Sequence, residues 1–355
     1  MKKILRFLSF LVLVLILGAG LYGGYGFWMV QKPMSAASSK QVFIIEANTR
    51  SKTIFQNLEK QGLIHNANFA QLYAKINKIG NFKAGQFEVD KAWDLKTLIT
   101  TLSDIKKAQS GLSKVSVIDG YWAKDIAKAV AVKTNVKEED LLKLWKNKVW
   151  IQSIQRDYPF LTEDIFKASI RYSLEGYLSP ATYSFDHNTS AEKVTKTLLN
   201  QSLKIYQKYE SEFKKSSLSV SEVYTLASII QYESGSKLEE GRVIAGIFLN
   251  RLKAKMPLGS SSSVCYAMNV ERAKGDWKAC EVNSNVDSPY NTYKNRGLPP
   301  GPINNPGEVA IQAALNPQET DYLFFMHDVK TGKVYYAKTY EEHQKNVKEH
   351  LNLKS

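Results

Sequence analysis

The stretch Ser219-Val-Ser-Glu-Val-Tyr-Thr-Leu-Ala-Ser-Ile-Ile-Gln-Tyr-Glu-Ser-Gly235 carries its own start and stop signals. Ser219 with Glu222 fits a capping box that opens a helix, and Gly235 fits its stop. Glu233 follows Leu226, Ile229 and Ile230 by seven, four and three residues, so helical geometry puts it on the face of those apolar side chains. A carboxylate at the end of an apolar stripe is partly desolvated, which favours its protonated form nearer neutrality. A general acid requires that property. Read alone, the same pattern also fits a helix-end acid that turns into water.

Outward from this helix, short strands and helices alternate. Val42-Phe43-Ile44-Ile45 is a strand-like run, followed by helical spacing at Ile54, Leu58 and Leu63 and again at Phe69, Leu72, Tyr73 and Ile76. Residues 83–89 form a strand entered through a glycine, and Leu95, Leu98, Ile99 and Leu102 repeat at helical spacing. That order describes a small α+β module. A second block opens with the strand Val115-Ser116-Val117-Ile118, the turn Asp119-Gly120 and a helix near 123–132. From about 136 the chain reads as mainly helical, with Leu141, Leu142, Leu144 and Trp145 on one face. Residues 174–183 read as an ordered loop. Helices are expected at 190–215, 220–234 and 239–254. A loop-rich stretch then runs to 306, followed by a helix at 307–315, strands at 322–326 and 333–337, and a terminal helix from 340.

The 355 residues are 44% hydrophobic and 23% charged, ordinary globular proportions that exclude wholesale disorder. Lysine and arginine number 48 against 34 acids, a net charge of +14. Residues 1–40 hold five basic residues and no acid, leaving 43 against 34, or +9, spread thinly over the rest. No arginine-rich stripe appears, so the excess reads as a solvated surface or a mild attraction to an anionic matrix, and not as a nucleic-acid footprint.

From Phe7 to Val30 there are 24 consecutive uncharged residues, enough to cross a hydrocarbon layer of roughly 30 Å. The alternative, a cleaved signal peptide, would have a hydrophobic stretch of only about 7–15 residues. This run continues to the interfacial aromatics Tyr25, Phe27 and Trp28 and is read as a retained anchor, with the long C-terminal part translocated. Residues 31–41 form a polar linker. Cys265 and Cys280 lack metal-site spacing, and a bridge or two unlinked thiols both remain open.

Along the chain, in order, stand Leu174-Glu-Gly-Tyr-Leu-Ser-Pro-Ala-Thr-Tyr183, Leu226-Ala-Ser-Ile-Ile-Gln-Tyr-Glu233, Phe248-Leu-Asn-Arg-Leu252, Tyr290-Asn-Thr-Tyr293, Gly297-Leu-Pro-Pro-Gly-Pro-Ile303 and Asn305-Pro-Gly307. This ordered set resembles the MltG/YceG-type endolytic murein transglycosylases. Residues 42–105, with Lys83-Ala-Gly-Gln-Phe87, are similar to that family's LysM-like subdomain. The resemblance implies an α+β fold: a short cytoplasmic head and single N-terminal transmembrane helix (1–31), a linker (32–41), a small LysM-like α+β module (42–113) and a mixed α+β catalytic region (114–355). It implies an enzyme of the inner, cytoplasmic membrane with a periplasmic catalytic domain. Its partners would be peptidoglycan glycan strands and penicillin-binding synthases, with no nucleic acid, cofactor or metal.

The implied reaction cuts the MurNAc–GlcNAc bond and leaves a 1,6-anhydro end. Glu233 would act first as acid and then as base, so one carboxylate suffices where ordinary glycosidases need two. Tyr290, Asn291, Thr292 and Tyr293 suit either a sugar-binding wall or an ordered turn packed under the loop, and His343 matches a family histidine, read as a substrate contact or as a surface or core residue. Two departures from the family pattern bear on this. Gln231 stands where an acid is usual, and Leu258-Gly-Ser-Ser-Ser-Ser263 lacks the usual Asp before Pro-Thr, which corresponds to Ser261. These motivate an alternative, a non-catalytic membrane-anchored peptidoglycan-binding or scaffold protein.

Overall fold

The computed structural model describes residues 18, 20, 23–26, 28–29, 32–46, 48–107, 112–270, 280, 283–328 and 331–350. Most of the apolar run 7–30 lies outside them, and among the described residues no helix is long and apolar enough to cross a membrane. The chain divides into two compact units, residues 1–113 and 114–355.

In the first unit β1 (Lys40–Ile45) pairs antiparallel with β2 (Gly85–Asp90), with Phe43 opposite Phe87. The period-2 alternation turns Phe43, Ile45, Phe87 and Val89 into the core and leaves Val42 outside. Helices α1 (Ser51–Lys60), α2 (Ala67–Ile76) and α3 (Leu95–Ser103) complete this unit. Asp94 caps α3 by accepting from Thr97 N at 2.7 Å, and Leu95, Leu98, Ile99 and Leu102 are its buried stripe. Helix α2 departs from the expected face. It buries Ala67, Ala70 and Ala74, while Leu72 and Ile76 stay 51% and 70% exposed. An alanine face lets two helices approach closely, so here packing distance outweighs residue hydrophobicity.

The second unit holds one large core. Strand β3 (Leu112–Val117) pairs with β4 (Ala181–Asp186), the latter running out of the segment expected to be a loop. Tyr183 and Phe185 point inward from β4, and Ser116 and Thr182 share a hydroxyl hydrogen bond of 3.2 Å across the pair. Helices α4 (Ala123–Lys133), α5 (Glu138–Leu144), α6 (Lys148–Gln155), α7 (Ala191–Lys208) and α8 (Glu210–Lys215) share this core with the central helix α9 (Val220–Ser234). Then come α10 (Leu238–Lys253), α11 (Ser261–Met268), α12 (Glu308–Leu315), the antiparallel pair β5 (Phe324–His327) and β6 (Val334–Ala337), and α13 (Tyr340–His350).

Helix α11 is an addition to the sequence reading. Its serine-rich start has low helix propensity, and its buried Val264, Cys265 and Tyr266 supply the stability from packing. Cys265 and Cys280 are joined in a buried disulfide.

Helices α9, α10 and α12 pack mutually around small residues. A Cβ at Gly241 would lie 2.9 Å from Ser234 Oγ and 3.1 Å from the Ala313 methyl. At Gly246 it would lie 2.1 Å from the backbone oxygen of Gln318, a clash that only a shift of backbone relieves. Gly246→Ala is therefore expected to destabilise residues 114–355 by about 2 kcal/mol or more, read as a lowered urea midpoint. An unchanged midpoint would contradict this packing.

Candidate active site

Helix α9 begins as its sequence dictates. Glu222 N donates to Ser219 Oγ at 3.3 Å, and Ser219 N donates to Glu222 Oε2 at 2.8 Å. Gly235, at φ +56°, ends it. The helix is not amphipathic in the expected sense. Leu226, Ile229 and Ile230 are fully buried, and so are Val223, Tyr224, Ala227 and Ser228 around the other faces. Glu233 emerges half-buried from the last turn.

The surroundings of Glu233 are polar, which corrects the apolar niche that the spacing led us to expect. Ser260 Oγ donates to Glu233 Oε1 at 3.0 Å, and Ser262 Oγ lies 2.7 Å behind Ser260 Oγ. The backbone of Ser260 is itself pinned. Its N–H donates to Thr292 Oγ1 at 2.9 Å, and its carbonyl accepts from Ser263 Oγ at 2.7 Å. Gly259 N donates to the Thr292 carbonyl at 3.0 Å. Thus the tetraserine stretch, though it lacks the family's aspartate, still delivers a hydrogen bond to the acid. It does so through Ser260 and not through Ser261, the first residue of α11.

Arg251 completes the cluster. Its Nε and Nη1 donate to the carbonyls of Leu323 and Leu258, both at 2.6 Å. Burial pulls the guanidinium below its ordinary pKa, while the neighbouring Glu233 and, after it, Tyr293 oppose that shift. At Gly259, φ +60°, a Cβ would sit 3.6 Å from both Arg251 Nη1 and the Tyr293 ring. Glycine therefore keeps this turn close against both.

The sequence-predicted contacts separate into two groups. Tyr293 is 39% exposed beside Arg251. His343, half-buried on α13, stacks on Phe324 at 5.5 Å, and the Arg251 guanidinium lies 5.4 Å from the same ring. Burial first, and the Arg251 charge second, lower the His343 pKa, which keeps its imidazole neutral at pH 7. The structure therefore gathers Glu233, Tyr293 and His343 around Arg251.

Tyr290, Asn291 and Thr292 instead face the interior. Asn291 Nδ2 donates to the carbonyls of Ser284 and Val286, both at 2.7 Å, and its Oδ1 accepts from Tyr293 N at 3.0 Å. Thr292 is spent on Ser260 and Ser263. The hydrogen-bonding capacity of Asn291 and Thr292 shapes the loop and is not offered to a sugar, and Tyr290 packs its ring against Tyr266. Arg251 and Ser260 are the residues that sequence reasoning missed. Arg251 stood within the quoted Phe248–Leu252 string without a role, and Ser260 lay inside the apparent departure.

Gln231 is held on another flank of the helix, where its Oε1 accepts from Gly307 N at 2.9 Å. Among the described residues no group of three or more His, Cys, Asp or Glu could hold a metal ion.

A second carboxyl, Glu175, is fully buried. Its Oε1 accepts from Ala123 N at 2.8 Å and Asn305 Nδ2 at 2.9 Å, and its Oε2 from the Tyr266 hydroxyl at 3.2 Å. Arg171 reaches over the Tyr266 ring, 4.3 Å from its centre, and donates to the Tyr266 carbonyl at 2.6 Å. Burial outweighs these donors and the Arg171 charge, pushing the Glu175 pKa from 4.5 to about 8. This network ties residues 171–177 to α4, α11 and the Asn305 turn.

Residues 43–349 match the YceG-like family, and the chain belongs to it. It is 35% identical over 364 residues to the endolytic murein transglycosylase of Streptococcus pneumoniae (strain D39), covering 98% of this chain and 65% of that protein's length. The Bacillus subtilis endolytic murein transglycosylase is 35% identical over 345 residues, covering 96% of this chain and 92% of that one. The crystal structure of a yceG-like protein from Listeria monocytogenes superposes with a TM-score of 0.61 at 36% identity, covering 87% of this chain and 99% of that one.

The raised pKa of Glu175 makes stability pH-dependent. From about pH 4.5 to about pH 8 the folded state holds a proton that the unfolded chain has released. Stability should therefore fall as pH rises across that window, by up to about 1.4 kcal/mol per unit, and level off above it. Glu175→Gln keeps the Oε1 acceptor and offers an amide donor to the Tyr266 hydroxyl. Urea unfolding across this pH range should show the slope flattened in the variant; an equal slope in both proteins would contradict the assignment.

Proposed function

We propose that this chain is a membrane-anchored lytic transglycosylase that cuts peptidoglycan glycan strands internally between MurNAc and GlcNAc. Membership of the family, with two relatives named endolytic murein transglycosylases, supports the reaction class. The observation that carries the catalytic assignment is the helix-terminal carboxyl of Glu233, half-exposed and held at Oε1 by Ser260.

In this mechanism Glu233 first gives its proton to the glycosidic oxygen, and the C1–O bond breaks with oxocarbenium character at the muramyl ring. The resulting Glu233 carboxylate then takes the proton of the muramyl carbon-6 hydroxyl, whose oxygen closes on carbon 1. No water is consumed, and the acid is regenerated. The internal hydroxyl supplies the effective concentration that an external nucleophile lacks. Arg251, whose charge acts on Glu233, lies where negative charge returns after the first transfer. Ser260 keeps the carboxyl plane fixed between the two steps. Tyr293 and His343 flank this centre as sugar contacts, an aromatic face and a neutral imidazole suited to pyranose rings and hydroxyls. In this reading Gln231 takes no part in either proton transfer and holds Gly307 instead.

The apolar run 7–30 supports a retained anchor with the bulk of the chain extracytoplasmic, and the Cys265–Cys280 disulfide suits an oxidising compartment. There the enzyme would meet strands as penicillin-binding synthases extrude them. Glu233→Gln should cut release of anhydro-ended muropeptides from purified sacculi by about 10³-fold or more, since one residue serves both half-reactions. A folded variant releasing product within a few-fold of wild type would overturn the assignment.

A further inference from the structure

A cavity of about 750 Å³ opens on a different flank of the same helix end, within the size range of ligand pockets. Gln231 and Tyr232 form part of its wall, and residues 114–133 form the rest. Successive helix residues are rotated by about 100°, so Gln231 and Glu233 project about 200° apart, with Tyr232 between them.

The cavity's floor is built with care. Gly120, at φ +83°, donates its N–H to the Asn305 carbonyl at 2.9 Å, and Asn305 N donates to the Tyr121 carbonyl at 2.9 Å. This two-way clamp lays the Asp119 carboxyl on Gly307, where a Cβ would come within 2.5 Å of Oδ2. The side chain of Asp119 has no hydrogen-bond or ionic partner among the described residues, and desolvation raises its pKa. Lys114, Lys128 and Lys133 line the same cavity, also without ion-pair partners among the described residues. Lys128 shares its face of α4 with Asp125, but that acid is engaged by Trp122 N at 3.0 Å.

A neutral sugar backbone lying along this space would leave its four charged groups without partners. A ligand with both a carboxylate and an ammonium group would satisfy both signs. We propose that the cavity is a subsite for a zwitterionic peptide, namely the short stem attached to the glycan whose cleavage is assigned to Glu233. The stem offers carboxylates to the lysines and the amine of its diamino acid to Asp119. The identity of the ligand as a stem rests on the function proposed above; the charge pairing does not.

The full chain should bind a synthetic L-Ala–D-Glu–L-Lys–D-Ala peptide saturably in calorimetry. Asp119→Asn and Lys128→Glu/Lys133→Glu should each weaken binding about tenfold or more. Acetylating the peptide's lysine should weaken wild-type binding by a similar factor and leave Asp119→Asn indifferent to the change. The lysine pair is exposed, so it tests the site even if Asp119→Asn fails to fold. No saturable binding by wild type, or an acetylation penalty of equal size in Asp119→Asn, would overturn the proposal. Assays on stem-bearing and amidase-stripped strands separate the two readings. Cleavage of both without peptide binding sinks the subsite alone, whereas peptide binding without any cleavage sinks the catalytic reading alone.

Discussion

Enclosure of helix α9 on every side is the constraint from which the rest of the second unit follows. Leu226, Ile229 and Ile230, each worth roughly 1.5–3 kcal/mol when buried, fix the rotation of the helix, as do Val223, Tyr224 and Ala227 on its other faces. With rotation and length fixed by packing and caps, the last turn has no freedom in where it presents its side chains. Gln231 is directed at Gly307 and Glu233 at Ser260. Placement of the candidate site here is a product of core packing.

Around that helix end the protein uses buried polar side chains as rigid fittings. Asn291 and Thr292 satisfy backbone groups, and the backbone they shape carries Ser260 to the carboxyl of Glu233. Asn305 does the same on another side. Its Oδ1 accepts from Gly176 N at 3.0 Å and Leu178 N at 2.9 Å, while its Nδ2 donates to Glu175. Such networks are costly when half-made and stiff when complete. The loops at 172–180, 257–260 and 290–307 carry little regular structure, and these bonds hold them.

The parts legible in the sequence were the locally encoded ones. The capping box at Ser219 and Glu222, the Gly235 stop and the stripe of α3 need only neighbours along the chain. The parts that escaped depend on distant partners. Strand β4 alternates correctly at Tyr183 and Phe185, but its pairing with β3 spans more than sixty residues of chain. The alanine face of α2 was hidden because Leu72 and Ile76 look more like core than Ala70 and Ala74 do. Arg251 and Ser260 meet Glu233 across loops whose course no periodicity reveals. The Tyr290-Asn-Thr-Tyr293 string announced its importance but not its division of labour, three side chains working inward and one outward.

The central claim is that a single carboxyl carries both proton transfers and that the departing end is closed by the sugar's own hydroxyl. The most direct measurement is the mass of the new muramyl ends that the full chain generates from sacculi in water enriched in heavy oxygen. The account predicts ends lighter than a reducing end by one water and free of the heavy isotope. Reducing ends that have taken up the label would show that solvent, and not carbon-6 oxygen, attacks carbon 1, and would contradict it.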